Sequence, residues 1–323
     1  MNFFRKDLTQ RHRGAEENKK IEKLNFASPR LCVMLLAITF FSCQTAPKAP
    51  DIALEQYIPL EPGAYVYVIA EKDALPVLKP LLLHNINNIQ FQIMIDQTQF
   101  AAAAVYVTPN VETGALTSRY RLAAWGSYPA SRARMALASS KEWNKGRSAV
   151  SRANYWFSPQ RGYAVAVTGN MALVATAAHG DPPYTPIDPF SAAPGTALPE
   201  GLAAFHQGSI LSCWLNNPAP AVNKKLTEMG IPLEIPAQQI FVGLLPVDEN
   251  QRYAARLQIQ FDSASQARAL SLMFAFARNL LPPQSELGIL FANPPTLDGI
   301  NLNITTAPLT VREISLLLQM FAL

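Results

Sequence analysis

The chain has 323 residues, which is enough for one large or two ordinary domains with a sizeable core. Hydrophobic residues make up 49% of it and charged residues only 15%, against the roughly 25% charged residues of an average soluble domain. The net charge of +4 comes from the first 30 residues, which carry eight basic and four acidic side chains. The remaining chain is therefore near neutral, and no nucleic-acid partner is predicted.

An apolar run from Leu31 to Phe41 follows this basic leader and ends at Ser42 and Cys43. A run of about 11 residues has the length of the hydrophobic region of an export signal and is too short for a spanning helix. A small residue before cysteine is typical of bacterial lipoprotein signals, although Phe40 and Phe41 are bulkier than the strict motif allows. We predict a signal peptide over residues 1–42 and acylation of Cys43, as with palmitate. An uncleaved apolar segment and an ordinary secreted protein are the alternatives.

A tether and a first lobe follow the cysteine. Proline and small polar residues in the segment 43–62 keep it extended and unfolded. Residues 63–178 predict an α+β lobe, in which helices are expected at 74–83 and 129–143, with Pro80 kinking or ending the first. β-branched, aromatic and apolar runs predict strands at 64–70, 100–108, 119–125, 155–158, 163–167 and 171–177.

A linker rich in proline and glycine, residues 179–207, separates this lobe from a second one at 208–323. Predicted helices in the second lobe cover 216–230, 263–281 and 310–323. Ser263 with Gln266, and Thr310 with Glu313, have the spacing of a capping box. Strands are predicted at 209–215, 240–247, 253–261, 287–291 and 299–305.

The order of elements repeats between the two lobes, which predicts an internal duplication. Three short segments align at offsets between 133 and 140 residues: Asp96–Phe100 with Pro236–Ile240, Ser118–Leu122 with Gln251–Ala255, and Ser131–Met135 with Ser265–Ala269. The predicted fold class is α+β, with two similar lobes that each form a mostly antiparallel sheet with helices packed on one face.

The predicted body carries no recognisable catalytic, cofactor or metal constellation. Cys32 is lost with the signal and Cys43 is acylated, so Cys213 remains alone and is interpreted as a buried apolar side chain. Asp181 and Asp188 each precede proline, as in turns. No histidine has metal-ligand spacing to a histidine, cysteine or carboxylate within a helix, which holds for His12, His84, His179 and His206.

Two apolar features have a structural and a functional interpretation. Aromatic residues of the first lobe alternate with arginines, as on a surface that grips lipid headgroups or glycans, but core aromatics with solvated arginines are favoured. The helices at 263–281 and 310–323 are apolar nearly all round. Burial between the lobes is favoured over an apolar-ligand groove or contact with a membrane leaflet.

The loose signal motif, the proline tether and the repeated β-α-ββ-α-ββ order together resemble uncharacterised lipoproteins of treponemes and related spirochaetes. The resemblance implies a bacterial envelope location, in the outer or inner membrane, and no active-site residues. We therefore expect a non-enzymatic, lipid-anchored scaffold or binding protein, with a protein partner or an apolar ligand. A lipid or apolar-ligand carrier, or an envelope hydrolase with a site assembled from distant residues, is the alternative.

Overall fold

The computed structural model describes residues 64–83, 95–109, 116–177, 182–191, 198–228, 233–248, 252–280, 288 and 292–314. Several predictions fall outside these residues: the signal peptide, Cys43, the tether to residue 62, most of the strand at 287–291 and the last part of the helix at 310–323. They stay predictions.

The first half of the chain follows the predicted order of elements, with one addition. Pro80 lies inside the first helix and does not end it. The second helix ends at Ser139 and not at residue 143, and a short strand follows it that the sequence did not predict. The elements are β1 (Ala64–Glu71), a single 3-10 turn (Lys72–Ala74), α1 (Leu75–Leu83), β2 (Thr98–Pro109), β3 (Leu116–Gly126), α2 (Ala130–Ser139), β4 (Asn144–Arg147), β5 (Asn154–Ser158), β6 (Tyr163–Val167) and β7 (Met171–Thr176).

The second half begins with a short helix inside the predicted linker. Of the two predicted capping boxes, the one at Thr310 and Glu313 forms completely, since these residues bond each other reciprocally. At Ser263 only half of the box forms, because the Gln266 amide donates to Ser263 Oγ at 3.3 Å but Gln266 Oε1 has no hydrogen-bond partner in the described part of the chain. The elements are α3 (Leu202–His206), β8 (Leu211–Asn216), α4 (Ala219–Glu228), β9 (Ala237–Pro246), β10 (Arg252–Phe261), α5 (Ala264–Leu280), β11 (Thr296–Asp298), β12 (Asn301–Thr305) and β13 (Leu309–Thr310).

The described strands form one continuous sheet of thirteen strands, and every pairing among them is antiparallel. The order is β11-β12-β10-β9-β8-β1-β2-β3-β7-β6-β5-β4, and β13 pairs with β10 beside this path. Strands β1 and β8 pair through Val68 and Cys213, which joins the two predicted lobes into this sheet. The prediction of an α+β fold with antiparallel strands is confirmed, whereas the internal duplication stays a prediction.

The two halves use the same pairing scheme on either side of the β1–β8 junction. In the first half, β1 pairs with the hairpin β2–β3, and β7 returns after a helix to pair with β3. In the second half, β8 pairs with the hairpin β9–β10, and β12 returns after a helix to pair with β10.

The two faces of the sheet are covered by different parts of the chain. Helices α1, α2, α4 and α5 pack on one face, which we call the helical face. The segment between the halves, which we call the strap, covers the other face, which we call the strap face. Residues 182–191 lie over the end of the sheet that contains β5 to β7, and residues 198–206, including α3, lie over its centre.

Helix α5 corrects one sequence interpretation. Its inner side is buried through Ala267 and Leu270, but Leu272 and Phe276 are each 66% exposed. The helix therefore packs on the sheet with one side only and is not buried between lobes, because the halves lie side by side in one sheet.

Candidate functional site

The polar residues with the most unusual surroundings lie where α3 meets the strap face at the junction of the halves. Leu202 and Phe205 of α3 pack against Tyr67, Trp214 and Phe241 of the central strands. The close approach of α3 to β9 requires glycine at position 243, since a Cβ atom there would lie 3.0 Å from both the Phe205 ring and Ser209 Oγ.

His206, the last residue of α3, connects the helix to both central strands. Its Nδ1 lies 2.8 Å from the hydroxyl oxygen of Ser212 on β8. Its Nε2 lies 3.4 Å from Oε1 of Glu71 at the end of β1, an ion-pair distance without hydrogen-bond geometry. His206 is only 5% exposed and Ser212 is fully buried, whereas Glu71 is half-exposed.

Burial and charge act in opposite directions on this histidine. Burial lowers the pKa of His206 below its ordinary 6.5, and the nearby Glu71 carboxylate raises it by a smaller amount. The net pKa is lowered, so the imidazole is neutral at neutral pH. A neutral ring can share one proton with Ser212 while its other nitrogen faces the carboxylate.

Arg256 on β10 holds α3 from the other side. Its Nη2 donates to the carbonyl oxygen of Phe205 and lies 3.4 Å from Ser209 Oγ. Its guanidinium carbon is 4.1 Å from the centre of the Phe205 ring. Burial lowers the pKa of Arg256. The carbonyl and ring contacts offset part of the desolvation of its charge, but its buried Nε has no hydrogen-bond partner among the described residues.

Ser212, His206 and Glu71 supply the hydroxyl, imidazole and carboxylate of a hydrolase triad, but their placement does not suit catalysis. Ser212 pairs with Ile69 and Gly243 in the middle of the sheet, below His206 and α3. A nucleophile must reach a substrate carbonyl at near-contact distance, and a fully buried hydroxyl cannot. The arrangement instead fixes the helix to the strands.

A separate cavity lies between elements of the two halves. It has a volume of about 440 Å³ and is formed by the 3-10 turn and α1, Asp96, and the β9–β10 hairpin. Asp96 already pairs with Lys79 at 2.7 Å, and Asp248 accepts a hydrogen bond from Arg252 Nε at 2.6 Å. Four of the eight lining residues are charged, namely Lys72, Asp73, Asp96 and Asp248, and this mixed lining suits an acyl chain less well than a wholly apolar cavity would.

The sequence candidates are distributed as follows. His12, His84, His179 and Asp181 lie outside the described residues. Asp188 accepts the Phe190 amide at 2.9 Å, as expected in a turn. Cys213 lies on the helical face, where burial raises its thiol pKa to about 12. Within the described ranges no group of three potential metal ligands is found, and no helix is long and apolar enough to span a membrane.

Four of the six aromatic residues of the predicted cluster are buried core residues, as favoured, whereas Trp125 and Trp143 are partly buried, and one arginine corrects the interpretation. Tyr128, Trp156 and Tyr163 are at most 3% exposed. Arg121, expected in solvent, is 4% exposed and donates through Nη2 to the carbonyl oxygen of Ser191 at 3.1 Å. Its position on β3 pairs with Ala175 of β7, as Arg256 on β10 pairs with Thr305 of β12.

Sequence analysis did not predict that Glu71, Ser212 and Arg256 lie around His206. Strand alternation places Ser212 and Arg256 on one sheet face once the registers are known. The registers depend on the β1–β8 pairing between residues about 145 positions apart, as for Val68 and Cys213, and no local pattern predicts such a pairing.

Fold and site together define an open antiparallel α+β sheet with helices on one face and a fixed strap on the other. No protein-family model and no curated protein matches this chain. Among solved structures, crystal forms III and IV of TP0453, a protein of Treponema pallidum, match with TM-scores of 0.53 and 0.52. They are 14% and 16% identical over 78% and 79% of this chain and 93% of theirs. This similarity shows a shared fold with a treponemal protein.

Proposed function

We propose that the protein is a lipid-anchored lipoprotein of the bacterial envelope whose body has a non-enzymatic binding or scaffolding role. The observation that carries this proposal is the apolar run ending at Ser42 and Cys43, followed by a proline-containing tether. One acyl chain holds a protein only weakly at a membrane, and two or three hold it stably. The fold shared with a treponemal protein supports the predicted resemblance.

The non-enzymatic part of the proposal is supported by the polar cluster on the strap face. Its most reactive combination, His206 with Ser212, is enclosed, and the contacts of Arg256 are made to backbone and ring atoms of the chain itself. These groups stabilise α3 in its position. A carrier of apolar ligands is less well supported, because four of the eight residues that line the cavity between the halves are charged.

The anchoring proposal is tested by metabolic labelling with palmitate in a bacterial host that processes lipoproteins. Wild type and Cys32→Ala should incorporate label, since Cys32 lies inside the signal, while Cys43→Ala should incorporate none. A Cys213→Ala variant serves as a control for the partly buried cysteine of the body. Undiminished labelling of Cys43→Ala would show that the acylated residue is not Cys43.

A further inference from the structure

We propose that β4 is a docking strand for an extended acidic segment of a partner protein, with Asp or Glu at alternate positions, which adds to the sheet edge beside Lys145 and Arg147. The inference deepens the binding role proposed above by naming the surface and the chemistry of the partner. It does not depend on acylation of Cys43, so peptide binding and palmitate labelling fail independently of each other.

The edge position of β4 leaves backbone groups available. It is the last strand in the sheet order, and among the described strands it pairs only with β5. The Ser148 amide donates to the Ala153 carbonyl at 2.8 Å. In an antiparallel ladder hydrogen-bonded and non-hydrogen-bonded pairs alternate. The pairs Lys145–Trp156 and Arg147–Asn154 are therefore non-hydrogen-bonded, and the N–H and C=O groups of Lys145 and Arg147 point away from the sheet.

The charge around this edge selects the partner. Residues 116–177 carry nine lysines and arginines and a single carboxylate, Glu142. A second carboxylate, Asp188, lies next to this edge and accepts the Ala149 amide at 3.1 Å. Glu142 accepts a bond from Arg161 at 2.7 Å and so neutralises that arginine. Lys145 and Arg147 are exposed and separated by two positions, so their side chains lie on the same face of the sheet. Residues of an incoming strand directly opposite them must therefore be acidic to gain cross-strand pairing.

The edge is fixed in place before a partner arrives. A Cβ atom on Gly146 would lie 2.4 Å from the ring of Tyr155, so the missing side chain lets this ring lie flat against β4. The following residues of β5, Trp156 and Phe157, are 3% and 1% exposed. A preformed strand loses little conformational entropy on pairing, which favours addition of a peptide strand.

Two other occupants fit the geometry less well. A second copy of β4 would bring Lys145 and Arg147 against like charges, which is how charged edges prevent self-association. An anionic bilayer would satisfy the side-chain charges, but lipid offers no ordered ladder for the outward N–H and C=O groups. A peptide strand satisfies both sets of groups.

The test measures binding of fluorescent peptides of about eight residues, a typical strand length, to the full-length protein in non-ionic detergent. The first peptide has Glu at every second position with Thr and Val between. The second has the same composition with its Glu residues grouped together. The third is the first peptide with N-methyl groups on the amides that would donate to β4. We expect the first peptide to bind at least about tenfold more tightly than the other two, because only it combines alternating charge with a complete backbone ladder.

Charge-reversed variants locate the surface. Lys145→Glu combined with Arg147→Glu should abolish binding of the first peptide. Lys145→Gln alone should weaken binding, and this single variant replaces the double variant if circular dichroism shows that the double variant is poorly folded. Lys224→Glu combined with Arg268→Glu changes the charge equally on α4 and α5 and should leave binding unchanged. Equal binding of the N-methylated peptide would overturn strand addition, as would unchanged affinity of the first peptide for Lys145→Gln. Anionic vesicles that bind through Lys145 and Arg147 while no peptide does would overturn it in favour of a membrane surface.

Discussion

Replacing Arg256 tests whether α3 is held to the strap face as the structure indicates. In Arg256→Ala the Phe205 carbonyl loses a charged donor, and such bonds contribute about 1.5–3 kcal/mol. The contact of the guanidinium with the Phe205 ring adds about 0.5–2 kcal/mol. Relief of the buried charge offsets part of this sum, so we expect a net destabilisation of about 2–3 kcal/mol.

The assay is thermal unfolding combined with amide hydrogen exchange. A loss of 2–3 kcal/mol corresponds to a fall in Tm of roughly 4–6 °C for a domain of this size. Exchange should accelerate most in residues 202–206, because Arg256 contacts the backbone and ring of Phe205 in that helix. Arg256→Lys should lie between wild type and Arg256→Ala, since an ammonium keeps the charge but loses the planar fork.

Arg252→Ala is the matched control on the same strand. Arg252 pairs with Asp248 on the surface and its side chain is 50% exposed, so its removal should cost less than about 1 kcal/mol. An Arg256→Ala protein with unchanged Tm and unchanged exchange in residues 202–206 would refute the role assigned to Arg256. A loss equal to that of Arg252→Ala would refute it as well.

Two further predictions concern the cluster around His206. Because the pKa of His206 is lowered in the fold, the unfolded chain binds its proton first as the pH falls; the free energy of unfolding should therefore decrease below about pH 6.5, and denaturant titrations of His206→Gln should show a shallower decrease, whereas identical slopes would contradict the shift. Since Ser212 is fully buried, a fluorophosphonate probe for activated serines should not label the protein, and labelling that disappears in Ser212→Ala but persists in Ser209→Ala would instead establish a hydrolase site.

Local sequence patterns predicted helix starts and hairpins well, because the residue types at those positions determine the backbone conformation. The capping box at Thr310 and Glu313 lies where predicted, and bonds from Thr310 lower the pKa of the Glu313 carboxyl. Ser263 accepts the Gln266 amide as an N-cap residue does. The long hairpins β2–β3 and β9–β10 follow from β-branched and aromatic runs around polar turns. Strand β4 was missed because its sequence, Asn-Lys-Gly-Arg, has no strand propensity. It forms because Tyr155 packs over Gly146, a tertiary contact.

The strap face could not be predicted, because its contacts join residues far apart in the chain. Proline and glycine in residues 179–207 predicted little regular structure, yet the described residues 182–191 and 198–206 pack as a layer of the fold and include the helix α3. Tyr184, Ile187 and Phe190 pack on one end of the sheet, and Leu198, Leu202 and Phe205 pack on its centre. Irregular segments that bury such side chains look the same in sequence as exposed loops.

The strand registers provide an alignment of the two halves that does not depend on sequence identity. Sequence comparison aligned Arg119 with Arg252, whereas equivalent pairings with β7 and β12 align Arg121 with Arg256, an offset of 135 residues. Each of these two arginines donates to a backbone carbonyl of the strap, Ser191 or Phe205.

The hairpins agree with this offset in an irregular detail. One extra residue, Gln99 or Gln238, interrupts the ladder near the start of β2 and again near the start of β9. The residues opposite these bulges are Trp125 and Gly126 of β3 and Gln260 and Phe261 of β10, which are 135 positions apart. A β-bulge is a specific departure from regular pairing and is usually kept within a family. Two bulges and two strap-binding arginines at matching positions are therefore a stronger argument for duplication than short sequence matches, because each requires the same three-dimensional arrangement to recur.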